Sequence, residues 1–395
     1  MPREIWLLFA TNLINRAGMM VLPFLIVYLT RELRFSPGQA GLAFALYGAA
    51  AIIAGPIAGR LSDRIGALPI MRGSLLMSGT VLLLFPYARS RAAVYAITMV
   101  WGACAEMFRP ASLAAITHVV SPDQRKPAYA LNRLAINLGM SIGPALGGFL
   151  ATVSFHAMFV VDALTTILAG LVLSLSTWQT PTMRTESSSD SAGDRSDARS
   201  LLRDARLMIF LTAAFLVGIV FFQHESALPL YMVQYLNLSP AFYGTLFTIN
   251  TLLIVALEVP LNGATAHWPN SWALFAGCML FAIGFGSLAI VTSVSGILVT
   301  VVLWTFGEMM LFPAMAAHLG EIAPENRRGA YMGAYSMSLS VALTTGPWIG
   351  TQLLATKGPM GVWSVMFALG GLAAVLMMYG APHRRPIRAA VGAES

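Results

Sequence analysis

Charged residues are scarce in this chain: Asp, Glu, Lys and Arg make up 10% of its 395 residues, whereas 57% are hydrophobic. A soluble domain is usually about a quarter charged and close to half apolar. So much apolar side chain cannot be buried in one globule of this size without leaving large apolar patches on its surface. The composition therefore excludes an ordinary soluble enzyme and a disordered chain.

Cysteines and nucleotide-binding motifs are also few. The two cysteines, Cys104 and Cys278, stand inside long apolar runs, which excludes a disulfide-bonded scaffold. The sequence G-x-x-x-x-G-K-S/T does not occur, so ATP hydrolysis by that type of loop is excluded. No group of residues has zinc-like spacing, and we find no nucleophile with a neighbouring base. We expect neither an enzyme nor a metal site, and no nucleic-acid partner.

Long apolar runs, in contrast, are abundant. A membrane-crossing helix needs about 20 mostly apolar residues, and twelve segments satisfy this requirement. They lie near residues 5–29, 39–59, 72–88, 93–118, 129–152, 157–177, 207–235, 242–262, 272–292, 296–319, 330–355 and 361–380. We predict an all-α integral membrane protein with twelve transmembrane helices.

The positive charges favour one orientation. Sixteen of the 24 Lys and Arg residues fall on the side of the two termini, and five fall on the opposite side. Because cytoplasmic loops carry an excess of Lys and Arg, we predict a multi-pass protein of the bacterial inner or plasma membrane with both termini in the cytoplasm.

A polar, Ser-rich stretch of mixed charge follows the sixth predicted helix and is typical of a flexible linker. The predicted organisation is a six-helix bundle over residues 1–178, a cytoplasmic linker over 179–206, a second bundle over 207–382 and a tail over 383–395.

The two halves repeat each other. The segment SPDQRKPAY at 121–129 matches APENRRGAY at 323–331, and a Gly-Pro pair follows each, at 143–144 and 346–347. Six crossings separate the copies, so both halves cross the membrane in the same direction. Parallel repeats of this kind place the binding site between the halves, near the middle of the membrane.

Three motifs resemble those of the major facilitator superfamily, and the resemblance covers nearly the whole chain. After the second helix, Gly59, Asp63, Arg64 and Gly66 fit the superfamily's loop G-x-x-x-D-R-x-G, although the usual basic pair is missing after it. Gly59 and Gly66 suit a tight turn. The resemblance implies that Asp63 and Arg64 hold the cytoplasmic side closed in the outward-facing state.

The fifth predicted helix resembles a motif of the drug:proton antiporter branch. The residues that carry this resemblance are Gly139, Gly143, Pro144, Gly147 and Gly148. Small residues allow helices to approach closely, and proline can bend a helix. The motif favours either a bendable contact at the seam between the halves or plain packing. A third motif of the branch fits at Gly102 and Pro110, but Thr98 stands where its arginine is expected.

Six charged residues lie inside predicted helices and are candidates for a functional role: Arg16, Glu106, Arg109, Glu225, Glu258 and Glu308. An ionised side chain at the bilayer centre costs about 2.5–3.5 kcal/mol on insertion scales. We therefore expect these residues to line a wet cavity or to pair. Static ion pairs are the alternative to a role in transport.

Two of these carboxylates, Glu106 and Glu308, are our first candidates for carrying a proton, because apolar surroundings favour the protonated carboxyl group. Glu106 and Arg109 are three residues apart and are expected to share one helix face. Glu225 has His224 beside it, and a histidine can share or relay a proton.

Aromatic and methionine side chains can form an adaptable cavity wall for amphipathic substrates. The candidate contacts are Trp101, Phe108, Phe222, Tyr231 and Trp304, with plain helix packing as the alternative. Asp162 is interpreted as structural. Arg133 is expected near a helix end, with its side chain extended to the membrane surface.

These features predict a secondary transporter that works by alternating access, acts as a monomer and uses protons, not ATP, as its energy source. The favoured activity is proton-coupled export of amphipathic or cationic small molecules. Two alternatives remain open: a proton-linked importer of a sugar, amino acid or organic acid, and a lipid flippase.

Overall fold

The structure, a computed structural model, describes residues 1–121, 124–175, 203–324 and 327–380. Within these ranges the secondary structure is helical and contains no strand. Ten of the described helices are long and apolar enough to cross a membrane. The predicted tail and most of the predicted linker lie outside the described residues, so the predicted domain boundaries stay predictions.

Twelve membrane-crossing segments follow one another, and we number them span one to span twelve. Spans one to six comprise Arg3–Gly18 with Val21–Arg31, Pro37–Ile65, Ala67–Leu84, Arg91–Glu106 with Phe108–Val119, Arg125–Val153, and Phe155–Ser174. Spans seven to twelve comprise Ala205–Phe221 with short helical turns up to Tyr235, Pro240–Thr265, Asn270–Gly286, Val294–Ile322, and Arg328–Gly380, which contains the last two spans. The predicted all-α fold with twelve helices is confirmed.

Two features explain why ten long helices make twelve spans. Span four is interrupted at Met107. Spans eleven and twelve form one continuous helical segment that bends at Gly358, whose φ of 69° lies in the left-handed region. Glycine adopts this conformation without the steric cost that a side chain would bring.

Serine residues begin five of the six even-numbered spans. Ser36, Ser90, Ser154, Ser239 and Ser293 each accept a hydrogen bond from a backbone N–H in the first turn of spans two, four, six, eight and ten. Such caps satisfy donors that the helix itself leaves unpaired. All five caps lie on one side of the bundle, where span one ends. We call it the opposite side, and we call the side where span one begins the termini side.

Span one is broken near its middle, and Asp162 of span six stabilises the break. Its Oδ2 atom accepts hydrogen bonds from the backbone N–H groups of Met20 and Val21, at 2.9 and 2.8 Å. Both N–H groups follow the interruption after Gly18 and have no earlier helical turn to bond to. The interpretation of Asp162 as structural agrees with this geometry.

We expect Asp162→Ala to destabilise the fold by about 2–4 kcal/mol, because two buried N–H groups lose their acceptor. Asp162→Asn keeps an oxygen at the same place and is the matched control, with a loss of less than half that size. Thermal unfolding of the detergent-purified protein, followed by tryptophan fluorescence, measures both. Equal unfolding temperatures for the two variants would contradict the assigned role.

The two halves meet closely on the opposite side. Span two packs against span eleven, where a Cβ atom added to Gly48 would lie 2.8 Å from Thr344 Oγ1. Span five packs against span eight, where a Cβ atom on Gly148 would lie 2.6 Å from the carbonyl oxygen of Pro240. The Thr248 hydroxyl also donates to the Ser141 carbonyl at 2.7 Å.

The same helices separate toward the termini side. Gly55 continues the face of span two that carries Gly48, yet no atom lies within 4 Å of a Cβ added there. The same holds for Gly263 of span eight and Gly333 of span eleven. The seam between the halves is therefore closed on the opposite side and open on the termini side.

Candidate functional site

Three cavities contain the charged candidate residues. The first is lined by both halves, and the other two are lined by the first half alone. The acidic cavity, of about 360 Å³, is lined by spans five, eight and ten and contains Glu258 and Glu308. The arginine cavity, of about 210 Å³, is lined by spans one, four and five and contains Arg16, Arg109 and Arg133. A smaller inner cavity, of about 40 Å³, contains Arg16 and Glu106. Arg133 lines both of the larger cavities.

Glu308 lies halfway along span ten. Its Oε2 atom accepts a hydrogen bond from Asn250 Nδ2 of span eight at 3.0 Å, and the same amide donates to Thr305 Oγ1 at 3.0 Å. An amide orients a carboxylate but supplies no charge to balance it. The geometry therefore leaves Glu308 open to neutralisation by a proton or by a cation entering the cavity.

The one positive charge in the acidic cavity is already paired. Arg133 Nη2 of span five lies 2.6 Å from Glu258 Oε1 of span eight, so the bond joins the two halves. The arginine side chain is 64% exposed and the glutamate side chain 19% exposed. Arg133 lies near the start of span five, as expected, and the second half supplies a carboxylate within its reach. The extension of its side chain to the membrane surface stays a prediction.

Glu106 is held by a residue that the sequence analysis did not single out. The hydroxyl group of Tyr47, in span two, donates to Glu106 Oε1 at 2.9 Å. Span four is interrupted directly after Glu106, where Pro110 has no N–H group to continue the helical bonding. No ion pair joins Glu106 and Arg109 in the described part of the chain, and they line different cavities. Their expected common face stays a prediction.

Arg16 ends the first helix of span one and lines both the inner and the arginine cavities. Its Nη1 atom donates to Met19 Sδ at 3.1 Å, and a thioether is a weak acceptor. Its Nε atom is buried and has no hydrogen-bond partner among the described residues. No carboxylate there lies within ion-pair distance of this guanidinium.

His224 and Glu225 occupy a short 3₁₀ turn in span seven, where both are buried. His224 Nε2 lies 3.7 Å from Glu225 Oε1. The Tyr243 hydroxyl donates to the carbonyl oxygen of His224 at 2.7 Å and so fixes this turn against span eight. Neither His224 nor Glu225 lines any of the three cavities.

Two of the five candidate aromatic residues line the described cavities: Trp101 and Phe108. Trp304 stacks on Phe285, Phe222 packs on Phe221, and Tyr231 donates its hydroxyl to the Val291 carbonyl. These three line none of the three cavities in this conformation. Their contact with a substrate stays a prediction.

The residues of the G-x-x-x-D-R-x-G motif are mostly helical. Gly59, Asp63 and Arg64 lie in the last turns of Pro37–Ile65, and only Gly66, with a φ of 92°, breaks the helix. Placing the whole motif in a loop was wrong. Asp63 and Arg64 are exposed and make no hydrogen bond or ion pair with the described residues, which agrees with a seam that is open on the termini side.

The glycines of span five contact two other helices. Gly139, Gly143 and Gly147 face span one at its break: a Cβ atom on Gly143 would lie 2.7 Å from the Arg16 carbonyl oxygen. Gly148 faces span eight of the other half. Three glycines therefore pack inside the first half and the fourth lies at the seam, beside Pro144. The two alternatives from the sequence, a bendable contact and plain packing, stay predictions.

Comparisons with known proteins support a transporter. The Major Facilitator Superfamily profile matches residues 8–238 and 225–394. The uncharacterized MFS-type transporter YqjV of Bacillus subtilis is 26% identical over 91% of this chain and 89% of its own length. A Na(+), Li(+), K(+)/H(+) antiporter of Planococcus maritimus is 24% identical over 88% and 87%. The multidrug resistance protein MdtH of Aeromonas hydrophila is 24% identical over 98% and 97%.

Solved structures share the fold. A peptide transporter POT in complex with sulfate superimposes with a TM-score of 0.77 at 16% identity, over 96% of this chain and 94% of the other. The nucleoside transporter NupG gives a TM-score of 0.76 at 12% identity, over 95% and 98%. At such identities the likeness is one of architecture.

Proposed function

Because the chain belongs to the major facilitator superfamily, it is a secondary transporter of small molecules, and we propose that it exports amphipathic cationic molecules from the cytoplasm in exchange for protons. Relatives named as a multidrug resistance protein and as a cation/proton antiporter support this direction. The excess of Lys and Arg on the termini side supports cytoplasmic termini, and the open side of the seam then faces the cytoplasm.

The environment of Glu308 carries this proposal. The carboxylate lies at the mid-length of its span in a cavity of about 360 Å³, bonded to the Asn250 amide. The neighbouring arginine is engaged by Glu258. Met309 and Phe312 add apolar wall to the same cavity, so a molecule with a positive group and an apolar body fits its chemistry.

Exchange requires only that proton and substrate compete for one carboxylate. When the seam is open to the cytoplasm, a cation binds Glu308 and displaces its proton. When the seam opens on the other side, the higher proton concentration there returns the proton and releases the cation. Glu106 and the His224–Glu225 pair are further proton-binding groups in this cycle.

Everted membrane vesicles test the proposal. Respiration acidifies their interior, and a pH-sensitive dye reports the gradient. We expect tetramethylrhodamine methyl ester, an amphipathic cation, to accumulate inside vesicles that contain the protein and to dissipate part of the gradient. Vesicles without the protein are the control.

A folded, membrane-inserted protein that moves no cation and releases no protons would contradict the proposal. Uptake of sugars or acids in whole cells, and lipid exchange between leaflets of proteoliposomes, then test the importer and flippase alternatives.

A further inference from the structure

The lining of the arginine cavity suits a negatively charged ligand group. Its polar wall comprises Asn12, Arg16, Arg109, Ser112, Asn132 and Arg133, and none of the residues that line it is acidic. The proposed exchange of a cation for a proton does not use this cavity, since a cation is repelled by its three guanidinium groups.

Two of the three arginine charges in this cavity are unbalanced. Arg133 is paired with Glu258, but Arg16 and Arg109 have no carboxylate within 4.0 Å in the described part of the chain. Arg16 reaches only the thioether of Met19, and its Nε atom is buried without a partner. Unpaired charge at this depth is costly, so an acceptor from outside the chain would relieve it.

One neighbouring amide, that of Asn132, leaves its donors free for the same space. Asn12 Nδ2 donates to Asn132 Oδ1 at 3.0 Å and to the Leu8 carbonyl at 3.0 Å, which fixes Asn132 by its oxygen. The NH₂ group of Asn132 then makes no hydrogen bond with the described residues. Guanidinium and amide N–H groups converging on one cavity recognise an oxyanion, most directly a carboxylate.

The acidic cavity lies on the other side of Arg133. Among the described residues, Glu308 has no basic partner and Arg16 has no acidic partner. The Arg133 side chain lines both cavities and separates them. We propose that the transported molecule is an amphipathic zwitterion, whose ammonium group binds Glu308 in the second half and whose carboxylate binds Arg16 and Arg109 in the first. This assignment rests on the proposed function and narrows its substrate class.

A zwitterion also accounts for the separation of charge between the acidic cavity and the arginine cavity. Each half supplies one pole of the site: carboxylates come from spans eight and ten, and arginines from spans one and four. A ligand with both charges holds the halves together by its two ends, whereas a simple cation engages only the second half.

A pair of dyes that differ in one group tests this inference. Tetramethylrhodamine with a free carboxylate is a zwitterion, and its methyl ester is a cation with the same rings. Fluorescence polarisation with the purified full-length protein measures both affinities. We expect the zwitterion to bind on the order of tenfold more tightly, from one or two charge-assisted hydrogen bonds.

Replacing an arginine separates this result from general apolar binding. Arg16→Gln and Arg109→Gln should each lower the affinity for the zwitterion about tenfold, while the ester binds at least as tightly as before. Arg91→Gln, at the exposed start of span four, should change neither affinity. Arg16→Lys keeps the charge and should retain part of the preference, which covers the case in which Arg16→Gln fails to fold.

The outcomes distinguish the two proposals. If the ester is bound and transported as well as the acid, the zwitterion assignment is overturned and cation export stands. If a sulfonate analogue of the dye binds like the carboxylate, the site recognises oxyanions generally and the zwitterion assignment is kept. If neither rhodamine binds or moves, both proposals fail together.

Discussion

Glu308→Gln is expected to abolish the exchange of cation for protons. Glutamine keeps the shape of the side chain and an oxygen for the Asn250 amide, but it neither binds a proton nor carries a charge. A proton and a cation exclude each other at one carboxylate, so removing that carboxylate removes the coupling between them. The variant should therefore lose both the dye response in everted vesicles and the pH dependence of cation binding.

Glu32→Gln is the matched control, because Glu32 is an exposed carboxylate at the opposite rim of the same bundle. This variant should export normally. Glu308→Asp, which keeps the charge on a shorter stem, should retain measurable exchange. Full exchange by Glu308→Gln would assign the proton to another carboxylate, with Glu106 the next to test.

Gly244→Leu is expected to stop transport without preventing insertion. Gly244 of span eight abuts the backbone of Pro144 in span five, so closely that an added Cβ atom would overlap its carbonyl oxygen. A larger side chain in a tight contact costs about 1–3 kcal/mol. That cost falls on the conformation closed on the opposite side, so its population should decrease about 5–150-fold relative to the alternative.

The population shift can be measured directly. A cysteine at Gly55, on the open part of span two, should react with a water-soluble maleimide in the parent protein. The two native cysteines are buried and provide a low background. The reaction should slow when Gly244→Leu is added. Gly371→Leu, in span twelve where an added Cβ meets no atom within 4 Å, should change neither labelling nor transport.

Much of the fold was predictable because its signals are local. A run of about 20 apolar residues specifies a membrane helix without reference to the rest of the chain. Ser-Pro pairs occur at 36–37 and 239–240, one in each half, and in the structure they begin spans two and eight. The interruption of span four has a local cause in Pro110, which the sequence analysis noted without drawing this consequence.

The partners of the buried charges were not predictable in the same way. Asp162 stabilises a break in a helix that lies about 140 residues earlier in the chain. Arg133 and Glu258 are 125 residues apart, and Asn250 and Glu308 are 58 apart. Which residues meet across two helices depends on their rotation and depth, which follow from packing and not from the pattern along either helix.

One signal for these partners was present in the sequence and went unused. Asn12, Asn132 and Asn250 are amides inside apolar runs, and a buried amide in a membrane helix needs a partner. All three lie beside the buried charges, as does Tyr47. Reading polar uncharged residues together with the charged ones would have placed the site more completely.

The glycine-bearing face of span two affects the free-energy difference between the two ends of the transport cycle. Gly41 and Gly48 touch span eleven, while Gly55, seven residues further, faces open space on the same face. Span two can therefore rotate against span eleven and exchange one set of glycine contacts for another of similar area. The two end states then differ little in free energy, and a pH difference of one unit, worth about 1.4 kcal/mol per proton, is enough to set the direction of the cycle.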